Sequence, residues 1–427
     1  MSTPPTGFRN PDDLTLVVST TRRGSAGGGM SAQGVGVSVA NTGPAFWRDN
    51  TGARQSANLA RGSAGSQSYT TTNSRSIAGW TSVRVSRGIE RCPGDFEVEF
   101  TEPMPGRNSL VASPGDECQV YLGTDLVLSG FVDRYMPSYT ATQHTVRITG
   151  RGKCQDLVDC SAKWSGGTMK DFPILAIAQQ LCAVYDIPVR LAEGSSPGDI
   201  IPAISIMVGE PIYGVLERLC RHEQLLLYEQ ADGSLLLSKV GTELAACGFT
   251  EGVNVLAASA VYAMDGRFSD YDAVLMSIDS LKDQGDGGNL LSRESDPGVQ
   301  RFRYRAIVSE SPHGTIDIAQ RRLHWEMVRR IGRSFQVRVT TDSWRDSAGK
   351  LWTPNTLVPL DLPGLNLSPQ TWTIADVTYR RDLRKGTTAE LLLMPPQAFN
   401  PEPLLLYPQA PDQNQSFFPG GGLGGTP

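Results

Sequence analysis

The chain has 427 residues, with 39% hydrophobic and 19% charged side chains, which at roughly 100–200 residues per domain makes about two to four folded domains. Its 45 Gly and 28 Pro favour short strands and turns over long helices. A net charge of -5 argues against a protein built to grip nucleic acid through a basic face, and no apolar run nears the ~20 residues of a membrane span.

Residues 14–20 (LTLVVST) read as a strand, β-branched with an apolar centre. From 21 to 76 the pattern collapses into Gly, Ser, Ala, Thr, Asn and Gln, with apolar residues standing singly apart from Phe46 and Trp47. Such a stretch buries too little surface to offset its own ordering entropy. It reads as an arm that orders only against a partner, or as a disordered surface loop. Alternation returns in residues 80–86 (WTSVRVS) and 96–100 (FEVEF), and strands follow at 118–122, 126–133 and 144–150. Pro114-Gly115 and Gly123-Thr124 punctuate them, as in a small antiparallel barrel or sandwich.

Past Cys160 the period changes. Residues 171–185 place Ile174, Ile177, Ala178, Leu181 and Val184 at helical spacing, with Pro173 early in the first turn. Residues 211–228 repeat the design with a stripe of Ile212, Val215, Leu216 and Leu219, and Asp232-Gly233 then turns into a strand at 235–240. This is a compact α/β unit. Strands are predicted at 255–262, 273–277, 301–308, 334–341, 371–379 and 389–393, with a loop at 282–289. A long helix is predicted over 315–330, with Gly332 placed as its stop. Residues 395–427 are rich in Pro and Gly and read as an extended tail. Two β modules flanking an α/β insertion is the organisation this order implies.

Catalytic and metal-binding sets are missing from the sequence. The four histidines (His144, His222, His313 and His324) form no HExxH, and there is no GxSxG elbow or P-loop. Residues 24–36 are glycine-rich but lack the strand-turn-helix setting of a phosphate cradle. The seven cysteines have no CxxC pair, and their odd count and the polar N-terminus suggest reduced thiols in a cytoplasm rather than a secreted scaffold. Cys220 and His222 stand two apart on a helix and do not face each other, so Cys220 reads as a small core hydrophobe. Asp156 and Asp159 could share a helical face, and read as caps or salt-bridge partners. Arg301, Arg303 and Arg305 fall on one face of a strand opposite Phe302, Tyr304 and Ala306, and Arg321, Arg322, Arg329, Arg330 and Arg333 crowd the next helix. They read as a solvated face or as an interface for an acidic partner, since Arg suits desolvated bidentate pairs. A DNA-binding patch ranks third, because the chain is acidic overall and no aromatics interleave on the arginine face.

The string GWTSVRVSRGIERCPGDFEVEFT, from Gly79, resembles the start of the baseplate hub protein of Mu-like phages, with Trp80, then Arg87-Gly88-Ile89-Glu90, then a glycine turn into a second alternating strand. Further segments match in order: Pro114-Gly115-Asp116, the LSGFVD string containing Gly130 and Asp133, and the YTATQHTVRITGRGKCQDLVDC string containing Gly150, Arg151, Asp156, Leu157 and Asp159. Gly209-Glu210-Pro211 and the helix after it also fit. The resemblance covers roughly residues 77–400 and departs from the family where residues 21–76 intervene.

The resemblance implies an α+β, β-rich fold with two similar, tail-tube-like antiparallel β-barrels. The first would take residues 1–20 and 77–160, with the Gly/Ser/Thr-rich arm at 21–76. The α/β domain would take 161–245, the second barrel 246–400 with helix 315–330, and the tail 401–427. It implies a structural subunit of a contractile tail or related injection particle, with neither cofactor nor metal. Three chains would form a homotrimeric ring of pseudo-sixfold symmetry that joins a six-fold tail tube to a three-fold central spike and contacts other baseplate proteins. Such a ring, assembled in the host cytoplasm and carried in the virion, inserts in no membrane. DNA passes through without specific binding, since an acidic wall repels it. The rival readings are a tail-associated cell-wall hydrolase and a receptor-binding tail protein, the latter using aromatics such as Trp344 and Trp352.

Overall fold

The structure is a computed structural model that describes residues 14–25, 68–77, 79–101, 111–164, 168–197, 200–222, 225–276, 289–310, 316–383 and 385–399. The apolar string after residue 13 forms β1 (Leu14–Ser25), which runs past the predicted end at residue 20. It pairs antiparallel with β2 (Ser68–Ile77), from Leu16 opposite Ile77 to Ser25 opposite Ser68. The expected arm therefore starts and ends in a two-stranded stem, because the Thr run of β2 suits extended backbone even without apolar neighbours. Residues 26–67, the bulk of that arm, lie outside the described residues, as do most of the predicted 282–289 loop and the tail from 400.

The strict alternations form β3 (Ser82–Gly88) and β4 (Asp95–Thr101), in which Phe96, Val98 and Phe100 are buried between half-exposed carboxylates. β5 (Glu117–Leu122), β6 (Asp125–Tyr139) and β7 (His144–Gly152) complete the first module, and the single-turn helix α1 (Gln155–Asp159) leads out of it.

In the α/β unit, β8 (Thr168–Pro173) precedes α2 (Ile174–Ala183). Pro173 thus takes the N-cap position rather than sitting in the first turn, because its ring disfavours helical backbone at the residue before it. β9 (Val189–Leu191), β10 (Ile200–Ser205), α3 (Ile212–His222), β11 (Leu226–Glu229) and β12 (Leu235–Ser238) follow. The predicted stripes meet: Ile174, Ile177, Ala178 and Leu181 of α2 share a core with Ile212, Val215, Leu216 and Leu219 of α3, whereas Val184, predicted in the same stripe, caps the helix end and is exposed.

The second module comprises β13 (Phe249–Thr250) and β14 (Ala257–Tyr262), then an excursion of β15 (Asp270–Met276), β16 (Asn289–Ser295), β17 (Tyr304–Glu310) and α4 (Ile316–Arg333). It closes with β18 (Phe335–Thr341), β19 (Leu357–Leu362), β20 (Leu367–Asp382) and β21 (Gly386–Met394). Helix α4 carries Gly332 inside it; a Cβ there would lie 2.5 Å from the Ala398 nitrogen, so the glycine admits the turn at Pro396–Phe399 instead of stopping the helix.

This is the α+β, β-rich class expected. Hydrogen bonding runs β3-β4-β7-β6-β5-β1 in the first module and β14-β18-β21-β20-β19-β13 in the second, the same order, although the two-residue β13 pairs parallel with β19 where β1 is antiparallel to β5. Each has one long strand, β6 or β20, with a register shift at Val132/Arg134 or Ile374/Asp376. Seven residues of β20 pair with β3, Asp376 opposite Gly88 through Asp382 opposite Ser82, so one 13-stranded sheet spans both modules. Side chains from both fill a single hydrophobic cluster.

Candidate functional site

The family-motif positions lie in the first module, some in its interior and some at its borders with the rest of the chain. Trp80 stands edge-on to Phe100 with ring centroids 5.5 Å apart, and its Nε1–H donates to the Leu14 carbonyl at 3.0 Å, linking the entry to β3 with β1. Arg87 and Gly88 end β3. A Cβ on Gly88 would lie 2.9 Å from Asp376 Oδ1 and 3.1 Å from the Ala375 carbonyl oxygen, a tight approach that glycine eases. Ile89 is buried, and its N–H donates to the Ala375 carbonyl at 2.8 Å. Glu90 accepts from Arg329 at 3.1 Å and from Arg333, tying the end of β3 to α4.

Gly130 and Gly150 lie where β6 and β7 press together. A Cβ on Gly130 would be 1.9 Å from the Arg151 carbonyl oxygen, and one on Gly150 would be 2.3 Å from that of Phe131. Arg151 donates to Asp133 at 2.7 Å and to both Asp159 oxygens at 2.7 and 3.3 Å. That guanidinium holds Asp159 below the usual carboxylate range, whereas burial and then the Asp159 charge raise Asp156. The two acids therefore have different surroundings and do not form a shared-proton pair. Leu157 is fully buried beneath them.

One residue missed in the sequence holds this junction. Glu229, at the end of β11, is buried against the first module and accepts from the backbone N–H of Gly94 at 2.9 Å and of Cys154 at 2.8 Å. Burial pushes its carboxyl up to about 7. Gly152 leaves it room, since a Cβ there would come 1.9 Å from Glu229 Oε2. The signal was a carboxylate closing the apolar string LLLY, an arrangement that in a folded chain demands donors.

The predicted arginines divide. Arg303, Arg305 and Arg330 place their guanidinium carbons 5.0, 5.6 and 5.3 Å from the Phe268 ring centroid. Arg329 lies 5.3 Å from the Trp325 ring and reaches Glu90. Arg330 also donates to Glu326 at 2.7 Å and to the Gly266 carbonyl at 2.9 Å. Arg301 is exposed and precedes the strand, which starts at Tyr304 rather than 301. Phe302 and Tyr304 are exposed as well, so the predicted apolar face of this strand is not a core face.

Trp344 and Trp352 are not the exposed aromatics that a receptor-binding reading needs. They are 0% and 2% exposed, with Trp344 Nε1–H donating to the Thr388 carbonyl at 3.0 Å and Trp352 Nε1–H to that of Ser343 at 3.1 Å. Cys220 is likewise a core residue, its thiol raised by burial. Among the described residues no three His, Cys, Asp or Glu side chains gather as metal ligands, and no helix is long and apolar enough to cross a membrane.

Three stretches match family models in series. Residues 70–152 match the N-terminal domain of the Mu phage baseplate assembly protein GpP-like family, 154–239 the second domain of the baseplate hub protein gp44-like family, and 315–402 the fourth domain of GpP. Over 332 residues the chain is 30% identical to baseplate hub protein gp44 of Escherichia phage Mu, covering 76% of this chain and 86% of that protein. The chain belongs to the baseplate hub protein family. The crystal structure of the 43 kDa tail protein of prophage MuSo2 from Shewanella oneidensis is 27% identical, with a TM-score of 0.69 over 76% of this chain and 97% of that one. A tail protein from Neisseria meningitidis MC58 shares the fold at 18% identity, with a TM-score of 0.63 over 78% and 97%.

A baseplate hub is a structural component of the virion tail or a related injection system, and its relatives are not enzymes. The first two matched stretches of this hub protein meet at residue 153, next to the Cys154 N–H that Glu229 accepts. Residues 240–314, which include Arg301, Arg303 and Arg305, fall between the second and third.

Proposed function

We propose that this chain forms a homotrimeric ring at the baseplate centre, joining the six-fold tail tube to the three-fold central spike. The observation that carries this is the repeated strand order: two modules joined side by side in each chain would give three chains six equivalent positions. The ring surrounds a channel through which DNA passes without specific binding, in keeping with the net charge of -5. Assembly takes place in the host cytoplasm before the hub enters the virion. The tube protein, the spike and other baseplate proteins are its partners, with the arm between residues 21 and 76 and the surface of Arg301, Arg303 and Arg305 as contact regions.

Light scattering on the purified full chain tests this, with a mass three times the monomer expected. A chain that stays monomeric both alone and with its spike protein overturns the ring.

A further inference from the structure

Two cysteines from different parts of the chain face each other at the junction that Glu229 holds. Cys92 lies in the turn between β3 and β4, and Cys154 stands at the N-cap of α1, where the stretch matching the second gp44-like domain begins. β4 pairs antiparallel with β7 down to Asp95 opposite Arg151, and one further rung follows, the Gly152 N–H donating to the Gly94 carbonyl at 2.9 Å. Counted on in that register, Cys92 falls opposite Cys154. Opposed residues of such a ladder share a face, with Cα atoms about 4.5–5.5 Å apart, inside the range that a disulfide bridges.

The side chains keep this arrangement. Both are free thiols that pack into the core of the α/β unit, Cys154 fully buried and Cys92 partly. Hydrogen bonding to the Cys92 thiol, and then burial, raise the Cys154 thiol above its ordinary range. The segments that carry the two thiols are pinned by one group: the Glu229 carboxylate accepts from the Gly94 N–H at 2.9 Å and from the Cys154 N–H at 2.8 Å. Cys92 also lines an open cavity of about 420 Å³, beside Arg91, Asp376, Met394 and Phe399. That cavity gives a small oxidant a path to Cys92, whereas Cys154 is 0% exposed.

We propose that Cys92 and Cys154 close into a disulfide when the hub meets a low-molecular-weight disulfide such as oxidised glutathione, clamping the α/β unit to the first module. The Cys92 thiolate attacks one glutathione sulfur, the S–S bond of the oxidant breaks, and one glutathione thiolate leaves. The Cys154 sulfur then gives up its proton and attacks the Cys92 sulfur, displacing the second glutathione thiolate. The two protons lost by the cysteines are taken up by the two thiolates, so the pair is oxidised by two electrons and the glutathione disulfide is reduced by two. Reduced glutathione in a cytoplasm keeps the pair open, and oxidising surroundings close it. Cys182 of α2 belongs to the same core and is the competing partner for Cys92.

The clamp is independent of the ring, and the full chain tests it in any oligomeric state. The protein is incubated with oxidised glutathione, the remaining thiols are alkylated, and its peptides are mapped by mass spectrometry with and without dithiothreitol. A cross-link between Cys92 and Cys154 is expected, with two of the seven thiols protected from alkylation. The melting temperature should rise by roughly 3–5 °C and fall back on reduction, because the bond closes a long loop in the unfolded chain. Cys182→Ser should form the bond as the wild type does, and Cys92→Ser should show neither the bond nor the melting shift. A Cys92–Cys182 bond, or a Cys92 that ends as its mixed disulfide with glutathione, overturns the pairing. A Cys92–Cys154 bond that leaves the melting temperature unchanged overturns the clamp.

Discussion

Where the first module sets Gly130 and Gly150, the corresponding strands of the second set Trp372 and Leu393, which are 3% and 0% exposed. One strand order is thus packed in two ways. The second module fills its interior with Trp344, Trp352, Trp372 and Tyr379. The first gives up side-chain volume so that the Arg151 and Phe131 carbonyls pass close to glycine, and its surface next to Gly152 accepts Glu229 from the α/β unit. Shared topology therefore hides a division of labour. Both modules touch the α/β unit, the second through Asn355, which donates to the Tyr228 hydroxyl at 3.1 Å, but the first alone makes room beside its core, as a docking seat, for the Glu229 carboxylate.

The sharpest way to break that comparison is Gly130→Val, which puts a branched side chain where even a Cβ is 1.9 Å from a backbone oxygen. A loss of more than about 4 kcal/mol in urea unfolding, or no soluble chain at all, is expected. A stable variant would show that the glycine is not a packing requirement. Trp372→Ala in the second module should cost about 3–4 kcal/mol through the cavity it leaves. A cost below ~1 kcal/mol would mean that the aromatic filling is dispensable.

The docking seat has its own signature in pH. Glu229 is raised from 4.5 to about 7, so the native state holds a proton that the unfolded state has released across that window. Its contribution to stability is full below pH 4.5 and is lost as pH rises through 7, by an amount on the order of 3 kcal/mol. Glu229→Gln accepts from only one of the two N–H groups and should cost about 1–2 kcal/mol at pH 5, while flattening this decline. If urea midpoints of the two proteins fall in parallel between pH 5 and 8, Glu229 does not carry the slope. The smallest effect is expected on the surface: Asp159→Asn removes one partner of Arg151 at a half-exposed site and should shift stability by less than ~1 kcal/mol. A larger loss would make the Arg151 network part of the seat rather than its rim.

Much of this was legible in the chain because period-2 and period-3.6 patterns report burial directly. The stripes of α2 and α3 and the alternation of β3 and β4 are core faces, and α4 overruns its predicted end by one turn. What was not legible depends on a neighbour. The Thr-rich β2 looks like linker until β1 pairs with it, and β20 extends past its apolar centre because β19, β21 and β3 all bond to it. Trp344 and Trp352 lie among polar residues that suggest a surface, yet the strands around them close over both. Glu229 matters through backbone N–H groups far away in sequence, and Asp376 through Arg91, which no local pattern encodes.

The β20–β3 seam also has a mechanical consequence. Its seven pairs lie side by side along two strands, so a pull along the strand direction loads every bond of the ladder at once, whereas a pull across it opens them singly. A chain whose halves are joined by such a ladder resists shear along its strands most strongly and yields first to splaying, so the seam is stiff to sliding and compliant to spreading.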